Sequence, residues 1–381
     1  MESQFWKLAE ALENDEGLTD ARRVQGRRHR LADIVVIAVC AAICGADSWV
    51  EVEMFGLAKE EWFGKHLKLA HGIPSHDTFG RVFSQIDSTA LMQSLNRWIG
   101  ASGILGEGDV IALDGKTVRR SHDERSGSKA LHLVSAWATD HHLVLAQQAV
   151  DDKSNEITAI PEVLALLDLD QKVITIDAMG TQTAIAAQIV EDGGDYVLAL
   201  KDNHPTLHKE VRHWFSRVGH PDYPSLPHDT CRTVEKGHGR IEIRRVETIL
   251  TEGRLSAECH PESWKNLQCI AAVHATRRIG GQDTTETRFF LSSLPGDAER
   301  IARATRCHWT IENSLHWTLD MAFREDESRI RTGRAQESMA VLRRIALSLL
   351  KRDTTTKAGI KARRLKAGWD HAYLRQLLAA A

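Results

Sequence analysis

Three acidic residues carry the chemistry this chain could do: Asp114 in VIALDGKTV, Asp177 in KVITIDAMG and Glu312 in RCHWTIENSLHW. The first two close apolar runs rich in β-branched residues, which places each at the exit of a buried strand. The third lies in a four-residue periodicity that reads as helix. Carboxylates so placed can meet at one end of a sheet despite their separation in sequence. Three hard oxygen ligands gathered there would hold Mg²⁺, with Mn²⁺ as a substitute. Such a centre, in a chain with 49 lysines and arginines, suits phosphoryl transfer on nucleic acid. Each residue also has a plainer reading. An aspartate after a strand commonly starts a turn, a helical glutamate commonly faces solvent, and Glu325 and Asp326, rivals for the helical position, read within FREDESRIR as a solvated, salt-bridged face. The two strand-end aspartates reinforce each other, and His308, Trp309 and His316 crowd the turns around Glu312.

The elements that must position these residues follow from pattern. Residues 1–102 read as helical: FWKLAEALEN, an apolar helix from Leu31 to Cys44, another around Ser48 to Leu57, and DTFGRVFSQI after Pro74 and Ser75. VIALDGKTV, ALHLVSAWAT and LVLAQQAV are three strands joined by short turns. A helix from Glu156 to Leu167, the strand KVITID, a helix from Gln182 to Glu191 and the strand DYVLAL follow. RIEIRRVETIL, LQCIAAVHATR and TRFFLSSL then give a β-rich insertion at about 218–293. The next helix, Asp297 to Met321, carries Ile311, Leu315 and Leu319 on one stripe and Glu312, His316 and Asp320 on the adjoining polar face. Strands alternating with helices imply an α/β layer.

A chain of 381 residues, 42% hydrophobic and 27% charged, buries a substantial core in two domains. A net charge of -3 assigns any nucleic-acid surface to local patches. The six cysteines are scattered without a CxxC pair and read as inert thiols. The most apolar run, residues 34–46, falls short of the ~20 residues that span a bilayer, and the N-terminus lacks a signal pattern. A cytoplasmic protein without a membrane partner is expected, associated with the nucleoid when on DNA.

RHRLADIVVIAVCAAICGADSW, PSHDTFGRVF, IALDGKTVR, DDKSNEITAIP, TIDAMG, DYVLALKDN, GHGRIEIR and HWTIENSLHWTLDMAFREDESRIR, taken as an ordered set, closely resemble the H-repeat-associated family of bacterial insertion-sequence transposases, within the DDE class. The resemblance covers most of residues 10–350. It implies a ribonuclease-H-like catalytic domain over 103–350 interrupted by the β-rich insertion, a helical N-terminal domain for DNA binding or assembly, and a basic tail over 351–381. It also implies Asp114, Asp177 and Glu312 as catalytic metal ligands, and divalent-metal-dependent cleavage and strand transfer on double-stranded DNA with terminal inverted repeats and on target DNA, in a homo-oligomeric complex. One related signature sets tyrosine, arginine and lysine around the glutamate; this chain has Thr305, His308 and Leu319 there. That departure keeps two alternatives in view, a metal-dependent DNA nuclease and a catalytically decayed DNA-binding protein.

Phosphate contacts are expected from Lys116 and His308, from a ridge of Lys236, His238, Arg240, Arg244 and Arg245, and from Arg324, Arg329, Arg331 and Arg334. The cluster Arg22, Arg23, Arg27, Arg28, His29 and Arg30 and the run from Arg343 to Lys366 offer further basic patches, each of which also suits a solvated face.

Overall fold

The computed structural model describes residues 3–122, 129–151, 154–222, 226, 228–237 and 239–379. Along the chain come α1 (Ser3–Glu13), α2 (Leu31–Ile43), α3 (Trp49–Ala58), α4 (Glu60–Gly64), α5 (His76–Phe83), α6 (Ser88–Ile99), β1 (Val110–Thr117), β2 (His132–Ala138) and β3 (Leu143–Ala149). After these follow α7 (Glu156–Leu164), β4 (Val173–Ile176), α8 (Thr183–Glu191), β5 (Asp195–Leu200), α9 (Pro205–Phe215), β6 (His228–Gly237), β7 (Arg240–Leu250), β8 (Cys269–Ile279) and β9 (Gln282–Ser292). The last elements are α10 (Ala298–Thr310), a π turn (Ile311–His316), α11 (Trp317–Phe323), α12 (Ala335–Arg352), α13 (Ile360–Trp369) and α14 (His371–Ala379). The protein is therefore a mixed α/β structure built on a large mixed sheet.

Two compact units divide the chain. One comprises Met1–Leu105, Gly115–Asn155 and Glu312–Ala381; the other comprises Gly106–Asp114 and Glu156–Ile311. In the first unit α2 is the hub, because it is apolar on every face and is buried along nearly its whole length against α1, α3 and α12. Side-chain caps fix where its neighbours start: Ser48 accepts from Glu51 N–H, Ser75 from Thr78 N–H and Asp87 from Ala90 N–H. Gly100, at φ +69°, ends α6 in a conformation that favours glycine. The strand order on this side is β3-β2-β1, with β2 and β3 antiparallel.

In the second unit the order is β1-β4-β5-β9-β8-β7-β6. β1, β4 and β5 are parallel, and their consecutive apolar residues suit strands covered on both faces. β6 to β9 form an antiparallel meander joined to β5 through β9. Val110, Val173, Val197, Ala271, Leu294 and Ile301 belong to one core here, with α10 packed on it. Among the described residues no helix is long and apolar enough to cross a membrane.

Two local expectations change. The strand carrying Asp114 does not end there: β1 runs on through Gly115 and Lys116 to Thr117, so Asp114 sits within a strand. The helix over 297–321 is not uniform either, because the hydrogen-bonding widens to a π turn at the residues around Glu312.

Candidate active site

Leu113 on β1 pairs in parallel register with Ile176 on β4. Asp114 and Asp177 each follow the last pair of this register, Asp114 still within β1 and Asp177 just past the end of β4. The Asp177 carboxylate turns back on its own loop, where Oδ1 accepts from the N–H groups of Met179 (3.1 Å) and Gly180 (3.2 Å). Burial pushes the Asp177 carboxyl above its ordinary range, and the charge of Glu156 adds to this. Gly180 is required by space rather than by backbone freedom: a Cβ there would come within 2.5 Å of Ile160 Cδ1 and would meet Ile176 Cγ2 as well.

Glu312 stands in the first turn of the π segment. Its side chain is 60% exposed, while His316 beside it is buried. His316 Nδ1 lies 3.4 Å from Glu312 Oε2. This hydrogen bond is the main reason that the Glu312 carboxyl sits below its usual range, helped by the nearby charges of His316 and Lys116. Ligand atoms of Asp114, Glu312 and His316 all fall within 4.8 Å of one another. Two carboxylates and an imidazole make a donor set that suits Mg²⁺ through its oxygens and accommodates Mn²⁺ through the nitrogen as well. Asp177 is outside that group, held by its loop.

The rival carboxylates are committed elsewhere. Glu325 is fully buried and pairs at 2.7 Å with Arg344, also fully buried. Burial alone would raise the Glu325 carboxyl, yet the cations of Arg344, Arg343 and Lys116 outweigh it and hold the group below its ordinary range. Asp326 accepts from the Arg119 N–H and lies 3.5 Å from Lys116 Nζ. Neither is the solvated face that FREDESRIR suggests.

Residues 105–349 match the family described as Transposase DDE domain, and residues 15–99 match the one described as DDE_Tnp_1-associated. The chain belongs to the DDE transposases. It is similar to the protein named Putative transposase YncI of Escherichia coli O157:H7, 40% identical over 94% of this chain and 91% of that one. It is also similar to the H repeat-associated putative transposase YhhI of Escherichia coli K12, 37% identical over 98% of each. Among solved structures, the piggyBac transposase synaptic complex with hairpin DNA aligns over 98% of this chain and 78% of that one, at 9% identity and a TM-score of 0.41.

In this transposase the cations read as DNA contacts fall into three situations. Some are consumed internally. Lys116 is 8% exposed and lies 2.8 Å from Asp320, and His308 shares a 3.0 Å hydrogen bond with Thr175. Thr305 and Leu319, its companions in the related signature, are buried. Arg343, Arg344 and Arg364 are buried too, bonded to backbone carbonyls and carboxylates, so these three drop out of the basic surface that the run from 343 to 366 offers. Arg22, Arg27 and Arg30 of the N-terminal cluster pair with Asp20, Glu13 and Asp33.

Others are divided by strand alternation. Lys236 and Arg245 share one face of the meander, whereas Arg240 and Arg244 lie on the opposite face and pair with Glu242. His238 lies outside the described residues. A third set is open. Arg329 and Arg331 are exposed and, with Arg81 and Arg324, line a cleft of about 790 Å³; Arg324 also pairs with Glu327, and Arg334 with Asp87. His316, which the sequence places on the polar face of Glu312 four residues on, joins the candidate group without having been read as a ligand, and Asp320, eight residues on, pairs with Lys116 instead.

Proposed function

We propose that this transposase cleaves DNA at the ends of an insertion sequence and transfers the freed strands to target DNA in a divalent-metal-dependent reaction, with Asp114, Asp177 and Glu312 as metal ligands. The observation that carries this reading is the gathering of Asp114 with Glu312 and His316. The strand order β3-β2-β1-β4-β5 supports it, with β2–β3 antiparallel and β1, β4 and β5 parallel. That is the order of a ribonuclease-H-like sheet, on which β6 to β9 read as an insertion. Residues 1–102 are assigned to DNA binding or assembly and 351–381 to a basic tail. Terminal inverted repeats, target DNA and a second copy of the chain are the expected partners, in the cytoplasm.

A bound Mg²⁺ or Mn²⁺ would neutralise the scissile phosphate, raise the acidity of the attacking hydroxyl and stabilise the leaving 3′ oxygen. The protein's own part is preorganisation. His316 aims the Glu312 carboxylate and keeps it ionised. Asp177 Oδ1 accepts from the N–H groups of Met179 and Gly180, so Oδ2 is the atom that would take a ligand role. In cleavage, water adds to phosphorus as the 3′ oxygen departs; in transfer, the freed 3′ hydroxyl adds to a target phosphorus and displaces its neighbouring strand.

The test is strand transfer with purified protein and an end-containing duplex. Asp114→Asn and Glu312→Gln should each suppress joined products by 10²-fold or more, on the order expected when transition-state charge stabilisation is removed, while terminal DNA still binds. Wild-type yields from both variants, or full transfer in excess chelator, would remove the proposed mechanism.

A further inference from the structure

Strand β1 and the helical segment after Ile311 carry matched ladders of charge. Asp114 and Lys116 are two residues apart on β1 and so share a face, separated by about 6.6 Å. Glu312, His316 and Asp320 recur every four residues, about 6 Å apart along a helix. The two spacings agree. The first rung is the group formed by Asp114, Glu312 and His316; the second is Lys116, whose Nζ lies 2.8 Å from the Asp320 carboxylate. Lys116 is buried, and Asp326, which follows α11, approaches it at 3.5 Å while also bonding Arg119.

We propose that Lys116 is a positioning residue: its ion pair with Asp320, buttressed by Asp326, sets the register of the Glu312 segment on β1 and thereby fixes how closely Glu312 approaches Asp114. This rests on the carboxylate site proposed above. A sliding helix would move Glu312 by 1.5 Å per residue of slip, enough to spoil a coordination sphere. Lys116 is thus withdrawn from the DNA, despite its place in a strand-and-glycine sequence that invites a phosphate reading. Groups that orient metal ligands from behind typically change metal affinity by 10- to 100-fold when removed.

The experiment uses full-length protein on end-containing DNA, with Lys116→Met, Asp320→Asn and the double variant. Three quantities are read: thermal unfolding, DNA affinity across salt concentration, and Mn²⁺ binding to the protein–DNA complex by electron paramagnetic resonance. Each single variant should weaken Mn²⁺ binding about tenfold. The double variant should weaken it no further, because the two side chains act as one unit. DNA affinity and its salt slope should stay at wild-type values. If Lys116 touches phosphate instead, Lys116→Met lowers the salt slope by about 1, Asp320→Asn does not, and the inference falls. It falls equally if unfolding temperature drops in both variants while Mn²⁺ binding is unchanged. Asp320→Asn keeps the test alive should Lys116→Met fail to fold. Asp114→Asn, run in parallel, separates the two claims. Wild-type Mn²⁺ binding and transfer by Asp114→Asn would overturn the site itself. Lost binding there with normal binding in Lys116→Met and Asp320→Asn would overturn only the positioning role.

Discussion

Removing the Glu325 carboxylate should cost more stability than any other single change near the site. Glu325 and Arg344 are both fully buried and meet at 2.7 Å. Arg344 has little else: Nη1 also donates to the Ala340 carbonyl at 3.2 Å, and Nε reaches Ser135 Oγ at 3.4 Å. Glu325→Ala leaves that guanidinium buried without its counter-charge, a situation that costs roughly 3–5 kcal/mol. At about 2–4 °C per kcal/mol for a unit of this size, the corresponding transition should fall by roughly 6–20 °C in calorimetry. The converse experiment tests the cause. Glu325 Oε2 and Arg344 Nη2 find no hydrogen-bond partner among the described residues, so the pair is incompletely satisfied. Replacing both by apolar residues of similar size, Glu325→Leu with Arg344→Met, should recover most of the loss. A single-variant penalty below about 1 kcal/mol, the scale of an exposed pair, would refute the reasoning, as would a double variant as unstable as the single.

The remaining predictions concern packing, pH and DNA. Gly180→Ala should destabilise the second unit by about 1–3 kcal/mol, since its new methyl has no room between Ile160 and Ile176; urea unfolding measures this, and a neutral result would mean the loop moves freely. Burial would raise the Asp353 carboxyl, but hydrogen bonds from Thr355 and Tyr373 bring it down to about 2. A depressed folded pKa stabilises above the unfolded value of 3.8 and is lost as pH falls toward about 2. Discounted for screening, this amounts to on the order of 1 kcal/mol. Asp353→Asn should flatten that acid limb in pH-dependent unfolding, and an unchanged limb would rule the group out. Arg329→Ala and Arg331→Ala should each reduce the salt slope of DNA binding by about 1 in filter binding or anisotropy, and unaltered slopes would show that the cleft they line does not meet the backbone.

The strands that carry Asp114 and lead into Asp177 were legible because short apolar runs rich in β-branched residues, bounded by turn residues, favour strand over helix, whereas their parallel pairing was not read from sequence. What sequence concealed lies where charge and environment disagree. β6, HDTCRTVEKG, shows no apolar alternation because it is an exposed edge strand, paired with β7 alone. Lys116 looked like a surface lysine because its partners, Asp320 and Asp326, lie more than two hundred residues away. Glu325 looked solvated because five of the other residues in FREDESRIR are charged, whereas burial of Glu325 depends on Arg344 one helix later. The basic C-terminal run is affected in part: Arg343, Arg344 and Arg364 are interior cations, whereas Lys357 and Lys361 are exposed, and composition does not report depth.

The π turn around Glu312 connects this lesson to the site. Residues spaced by four drift about 40° per step around an α-helix, so Ile311, Leu315 and Leu319 would spread over about 80° if the helix were regular, within an ordinary apolar stripe. All three are at most 1% exposed. A π turn over Ile311–His316 narrows that drift, because each wider turn advances less per residue and keeps a four-residue repeat in line. Glu312, His316 and Asp320 repeat at the same spacing and gain the same alignment. The buried stripe and the acidic edge thus share one widened turn. The turn stands at Glu312, the carboxylate proposed to share a metal with Asp114, and the Lys116–Asp320 pair lies one turn beyond it.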